Sequence, residues 1–273
     1  MKVACLCPTF GRPRLLANAL AQFQAQVYPQ DLKRLFILED AGQIGMTKRT
    51  PFGEYLGFSI LPKSDSCPSW EERLASGPDL MTCEFELWSF FHKFPTLTAK
   101  YAFLVERAKA WGADAFVVWD DDDIYLPNHI QNHVNVLALW PWSHPHTVYS
   151  LYTGKVEEEI ATGRFHAALA FSRAAGEKIG YWGDVANGRC DYDQGILGRL
   201  RNLTPPGQSV HKPTFVMRWG STHADHCSGR CRSGDDLTWY TKTPISQPGH
   251  VDSFGPLMDE ETKRIYLELS NHG

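Results

Sequence analysis

The chain has 273 residues, 43% hydrophobic and 21% charged, a globular balance that excludes an intrinsically disordered polymer. Its 27 Lys and Arg against 31 Asp and Glu leave a net charge of −4, which excludes a global basic field for nucleic acid or anionic membrane while leaving room for a local basic patch. At ~150 residues per domain the length falls between one domain and two, and single α/β domains of about 200–250 residues are common.

The opening MKVACLCPTF lacks the apolar core of ~7–15 residues that marks a signal peptide. No stretch reaches the ~18 apolar residues of a membrane span. Seven scattered cysteines suit a reducing compartment. Together these predict a soluble cytoplasmic protein without a transmembrane anchor, working in the host cytoplasm if the chain is phage-encoded.

Val3–Cys7 is a short apolar run that predicts a strand, and Pro8-Thr9-Phe10-Gly11-Arg12-Pro13 is turn chemistry. Leu15, Leu16, Ala19, Leu20 and Phe23 then recur at helical spacing. A second apolar run, Leu35–Leu38, stops at Glu39-Asp40-Ala41-Gly42. Strand, helix and strand in this order predict a right-handed βαβ unit with parallel strands. Residues 43–95 show few clean periods and predict loops with a short hairpin. Leu97, Tyr101, Leu104, Val105, Ala108 and Trp111 predict an amphipathic helix, followed by a strand at Ala115–Trp119 that runs into Asp120–Asp123. Beyond Pro127, a helix carries Ile130, Val134 and Leu137 on one face. The second half predicts strands at Thr147–Tyr152, Arg164–Phe171 and Thr214–Trp219. It also predicts helices at Ala174–Ile179, Gln194–Leu200 and Met258–Leu269. With no linker and no repeat, this reads as one α/β domain with a mixed second half.

Four consecutive aspartates after an apolar strand are the strongest chemical signal. Ligands of open α/β sheets bind beyond the carboxyl ends of strands. Crowded carboxylates repel one another, and a hard divalent cation, Mg²⁺ or Mn²⁺, compensates them. A solvated acidic turn is the competing reading. Glu39-Asp40 is a second acid pair at a strand end, so the two pairs would flank one crevice.

Three stretches, in order and at strand ends, resemble the family 2-type glycosyltransferases of the GT-A fold: Cys7-Pro8-Thr9-Phe10-Gly11-Arg12-Pro13, Leu38-Glu39-Asp40-Ala41-Gly42, and Trp119-Asp120-Asp121-Asp122-Asp123-Ile124-Tyr125-Leu126-Pro127. The last is similar to that family's extended DxD motif, and with a later acidic motif the resemblance covers roughly residues 2–230. It implies a Rossmann-like, parallel-to-mixed central sheet flanked by helices. Residues 1–127 would form the nucleotide-sugar-binding half, 128–240 the acceptor and catalytic half, and 241–273 a tail and helix.

The resemblance also implies roles. Pro8 and Thr9 would line the nucleotide pocket through backbone contacts, and Asp40 would accept a hydrogen bond from the base. Lys100 would contact base or diphosphate, or else lie as a surface lysine. Asp120, with Asp121 beside it, would sit near ribose and metal, and Asp122 would be the metal ligand. Cys190-Asp191-Tyr192-Asp193 resembles the family's Glu-Asp motif, nominating Asp191 as catalytic base with Asp193 as the other candidate; Cys190 stands where the first acid usually lies. Asp191 could instead serve as a helix N-cap ahead of Gln194–Leu200. His226 would complete the metal shell, with His223 as alternate. A zinc site of His223, His226, Cys227 and Cys231 has spacings unlike the usual zinc modules.

The implied activity is a metal-dependent, inverting transfer of a hexose from a UDP-sugar, or another nucleoside diphosphate sugar, to a hydroxyl acceptor. The candidate acceptors are a phage-type modified DNA base or another polymer. Arg199, Arg201, His211, Lys212, Arg218, Arg230 and Arg232 form the most basic stretch. They would neutralise the diphosphate, meet an anionic acceptor, or form a solvated face. Trp70, Trp88, Phe90 and Phe91 would wall the acceptor or simply pack. Two other classes compete. A sugar-phosphate nucleotidyltransferase would need a glycine-rich loop, where this chain has one glycine and two prolines after its first strand. A non-catalytic nucleotide- or metal-binding module would fit the departure at Cys190.

Overall fold

The computed structural model describes residues 1–10, 13–40, 44–47, 57–60, 80–81, 84–90, 94, 96–152, 155–161, 164–182, 192–209, 212–219 and 260–270. The apolar N-terminal run becomes β1 (Val3–Thr9), buried along its whole length. A run buried on both faces belongs in the middle of a parallel sheet, and β1 sits there. The helix α1 (Pro13–Gln24) follows, with Pro at its first position where a missing N–H costs nothing. Its predicted stripe is the buried one: Leu16, Ala19, Leu20 and Phe23 are fully covered. β2 (Lys33–Glu39) then pairs parallel to β1, from Val3 opposite Lys33 to Thr9 opposite Glu39. The order strand, helix, strand and the parallel pairing are therefore as the sequence predicts, with β1 two residues longer.

Lys33 opens β2 and is fully buried. Its ammonium donates to the carbonyls of Phe23 and Gln26, both at 2.9 Å, and to that of Gln24 at 3.3 Å. A cation at a helix C-terminus satisfies carbonyls that lack intrahelical partners, so the residue that starts β2 also ends α1.

In the 43–95 stretch, β3 (Ile44–Thr47) and β4 (Gly57–Ile60) form the antiparallel pair that the hairpin expectation anticipates. The loop expectation is wrong for β5 (Leu80–Met81) and β6 (Phe85–Ser89). β6 joins the main sheet parallel to β2, carrying a buried Glu86 that disguises it. That carboxylate is satisfied by Trp88 Nε1 at 2.6 Å and by Arg107 at 3.2 Å.

The helix α2 (Leu97–Trp111) is capped by Thr96, whose hydroxyl accepts from the Ala99 N–H. It ends at Gly112 in the left-handed region, φ +88°, where glycine carries no Cβ penalty. The chain then enters β7 (Ala115–Val118), parallel to β1.

After β7 come β8 (Ile124–Tyr125), α3 (His129–Leu137), β9 (Trp142–Ser143), β10 (Thr147–Tyr152) and β11 (Lys155–Ile160). Next are β12 (Ala170–Ser172), α4 (Arg173–Ile179), α5 (Tyr192–Leu203), β13 (Phe215–Trp219) and α6 (Glu260–Ser270). The single strand expected over Arg164–Phe171 is a correction: a 3₁₀ turn at His166–Ala168 precedes β12. Phe165 enters that turn at φ +60°, which a continuous strand does not accommodate.

The main sheet has seven strands in the order β5-β6-β2-β1-β7-β12-β9, with β6, β2, β1 and β7 mutually parallel and both edges antiparallel. A four-stranded sheet, β11-β10-β13-β8, lies beside it. Ile124, Leu126, Leu151, Val216, Ile265 and Tyr266 form a separate small core, which brings α6 onto that second sheet. The result is a single mixed α/β domain flanked by helices. Among the described residues no helix is long and apolar enough to cross a membrane.

Candidate active site

The site starts where the parallel strands β1, β2 and β7 end. Trp119 is fully buried after β7, and Tyr125 stacks on it at 4.0 Å between ring centroids. That stack pins the two ends of Asp120–Asp123, so the acids must turn between them. The Tyr125 hydroxyl accepts from the Asp120 N–H at 2.6 Å. Burial first, and the charges of Asp120 and Asp123 next, hold the Tyr125 phenol well above its ordinary pKa. It is therefore a neutral hydroxyl at physiological pH.

Each aspartate has its own placement. Asp120 accepts from the Tyr101 hydroxyl at 2.6 Å, and the Tyr101 ring stacks on Trp182 at 4.5 Å. Asp121 turns inward, 1% exposed, and accepts from the Thr9 hydroxyl at 2.5 Å. Asp123 accepts from the Arg218 N–H at 3.0 Å. Asp120, Asp122 and Asp123 each present a carboxylate oxygen, all within 4.8 Å of one another. Three hard oxygens this close suit Mg²⁺ or Mn²⁺ rather than a soft metal.

A second group lies at the end of β2. Asp40 is 1% exposed and ion-pairs with Lys100, itself 6% exposed. Its other oxygen accepts from the Phe94 N–H at 2.7 Å. Lys100 also donates to the Thr9 carbonyl at 3.0 Å and lies 5.5 Å over the Phe10 ring. Thr9 thus joins the two groups, its carbonyl on Lys100 and its hydroxyl on Asp121. The structure brings together Thr9, Asp40, Lys100, Asp120, Asp121 and Asp122 at one corner, with Pro8 buried in the strand behind them. Lys100 is not the surface lysine of the competing sequence reading.

Asp193 sits in the first turn of α5, where its carboxylate accepts from the Gln194 N–H at 2.6 Å. Asp191, Cys190, His226, His223, Cys227 and Cys231 lie outside the described residues, as do Trp70, Phe91, His211, Arg230 and Arg232. Trp88 and Phe90 are core residues, packed on Phe103 at 5.4 Å, so they do not wall an acceptor site. Arg218, placed by sequence in the basic stretch, is 1% exposed and bonds to Thr262 on α6. It is a structural tie, not part of a solvated face. Tyr101 and Tyr125, which hold Asp120, are positions of the candidate site that sequence reasoning missed. Tyr101 was legible only as one member of an apolar stripe, and Tyr125 only as part of the motif's tail.

No protein-family model matches the chain, and no curated protein matches it. Among solved structures, it is similar to a crystal structure of S. aureus TarS, with a TM-score of 0.52 and 9% identity over 80% of this chain and 37% of that one. TarS 1–349 in complex with UDP-GlcNAc gives a TM-score of 0.51 at 9% identity, covering 80% of this chain and 59% of that one. The same fragment in complex with UDP gives 0.52 at 10% identity, covering 80% and 61%. The chain therefore spans less than two thirds of each of these structures. At such identities the likeness shows the fold, and the fold is GT-A-like.

Proposed function

We propose that this GT-A-like chain is a metal-dependent glycosyltransferase that moves a hexose from a UDP-sugar to a hydroxyl acceptor with inversion. The observation that carries the reading is the convergence of Asp120, Asp122 and Asp123 within 4.8 Å at a parallel strand end, beside the Thr9–Asp40–Lys100 group. The UDP-GlcNAc bound in the TarS structure supports a nucleotide-sugar donor on this frame. Asp120, Asp122 and Asp123, with His226 as the proposed further ligand, would hold a divalent cation, which would supply positive charge against the departing diphosphate.

The chain's own groups do the rest. Tyr101 and the Tyr125 hydroxyl fix Asp120 from two directions, so its carboxylate is preorganised rather than recruited. Lys100 holds the Thr9 carbonyl and Asp40 in register, shaping the wall against which Pro8, Thr9 and Asp40 meet the nucleotide. Asp121 acts through its bond to Thr9, linking the nucleotide wall to the acidic turn. Asp191, or Asp193 at the start of α5, takes the proton of the acceptor hydroxyl as that oxygen attacks the anomeric carbon. Attack opposite the departing UDP inverts the configuration.

Calorimetric titration of UDP with and without Mn²⁺ tests the metal assignment. Binding should strengthen at least tenfold with Mn²⁺, about 1.4 kcal/mol, and Asp122→Ala should abolish that gain. Metal-independent UDP binding, unchanged in Asp122→Ala, overturns it. Turnover of a UDP-sugar by Asp191→Asn and Asp193→Asn decides which carboxylate is the base, and activity retained in both removes the role from the pair.

A further inference from the structure

A small cavity lies at the opposite end of the β8–β13 ladder from the acidic turn. The two strands are antiparallel, with Tyr125 opposite Phe215 and Ile124 opposite Val216. Arg218 on β13 reaches Asp123, whereas Thr214, just before β13, meets His129 Nδ1 at 3.1 Å. Thr214 and Arg218 are four positions apart, about 13 Å at ~3.3 Å per residue. The cavity is therefore not where a diphosphate held at the aspartates would lie.

The cavity measures about 30 Å³. A water needs ~10–15 Å³ on this measure, so there is room for a compact tetrahedral ion and none for a nucleotide. His129, Asn132, His133, His146, Ser143 and Lys212 contribute to its lining, and among the described residues neither Asp nor Glu does. Imidazole, amide, hydroxyl and ammonium all offer N–H or O–H donors. Donors of this kind, with a lysine among them, favour an anion over a hard cation. His129 is 1% exposed, and its Nε2 has no hydrogen-bond partner. Its Nδ1 is already engaged with Thr214, as His133 Nδ1 is with Ser143 at 2.9 Å. A buried polar nitrogen left in this state is costly unless a ligand or water meets it. Burial keeps both imidazoles neutral, so each retains one N–H, while the Lys212 ammonium lies at the exposed rim.

We propose that the cavity between α3 and the start of β13 is a binding site for a phosphate group, separate from the metal-binding turn. The group is either a free phosphate or a phosphodiester of a larger ligand, and the recognising chemistry is shared. A phosphate seated here, about 13 Å along β13 from the acids, would anchor a ligand whose other end reaches the reacting centre.

The test is side-chain ¹H–¹⁵N spectroscopy of the histidines in the full chain, titrated with inorganic phosphate against chloride at equal ionic strength. A second arm uses dimethyl phosphate. The ring nitrogens of His129 and His133 should shift with phosphate and not with chloride. Lys212→Ala, an exposed rim change, should weaken the affinity about tenfold, as expected for losing a charged hydrogen bond. Asp122→Ala should leave these shifts in place while losing metal-enhanced UDP binding, which separates this site from the donor site. A response to dimethyl phosphate supports a diester ligand, and a response to inorganic phosphate alone supports a free or terminal phosphate. Absence of both responses up to ~20 mM, well above an affinity of about 1 mM, overturns the proposal. So does an unchanged affinity in Lys212→Ala, or a response to Zn²⁺ with none to phosphate.

Discussion

Mild acid should unfold this protein through histidines buried in neutral form. His133 and His166 have pKa values lowered from 6.5 to about 3, by burial first and by the charge of His144 second. Between those two values the unfolded chain binds a proton at each position that the native chain refuses. Stability therefore rises with pH across this window and is lost as pH falls below about 6.5. At pH 5 each histidine lies about 1.5 units below its unfolded value, and one unit is about 1.4 kcal/mol, so each contributes a loss of about 2 kcal/mol. The pair together removes about 4 kcal/mol, a large part of a typical total of ~5–15 kcal/mol. His129 is shifted in the same direction by burial and by His133 and adds to the effect. Urea unfolding followed by tryptophan fluorescence at about pH 7.5, 6 and 5 measures the slope of stability against pH. His133→Gln and His166→Gln should each flatten it by roughly one proton. A midpoint constant from pH 7 to pH 5, or single variants that keep the full wild-type slope, would refute the reasoning.

Lys100→Met removes the cation from the buried Asp40 and the donor from the Thr9 carbonyl. It should lower urea stability by about 3–5 kcal/mol, with Lys100→Met/Asp40→Asn recovering part of that loss. Gly176→Ala places a methyl 2.1 Å from Tyr181 Cε1, so the ring must move. The expected loss is about 1–3 kcal/mol, read as a Tm decrease of about 2–4 °C per kcal/mol.

The frame of the fold was legible where one local rule decided it. Val3–Cys7, Leu35–Leu38 and Ala115–Val118 are apolar runs buried on both faces, and the α1 stripe has an unmistakable helical period. What stayed hidden depends on partners distant in sequence. β6 contains Glu86, which reads as a loop residue until Trp88 and Arg107 are seen to satisfy it. β11 reads Lys155-Val156-Glu157-Glu158-Glu159-Ile160 and is an edge strand ordered by pairing with β10. β8 is two residues long and exists because β13 returns beside it. The acids of the site were conspicuous as a run at a strand end, but the spacing gave no sign that Asp121 faces inward to Thr9. Nor could it show that two tyrosines, one on a helix that precedes the motif, hold Asp120. Arg218 read as surface charge because neighbouring basic residues suggested a face, whereas its own burial is set by α6.

The tie from Asp123 through Arg218 to Thr262 also sets a schedule for the newborn chain. Asp123 and Thr262 are 139 positions apart, so at ~5–20 residues per second the ribosome takes roughly 7–28 s to travel between them. Throughout that interval the acidic turn has been synthesised but the helix that covers the Arg218 guanidinium has not. The tie that holds Asp123 is therefore completed late, long after β1 and β2 have been made. A nascent chain therefore lacks the finished Asp123–Arg218–Thr262 tie until α6 has docked.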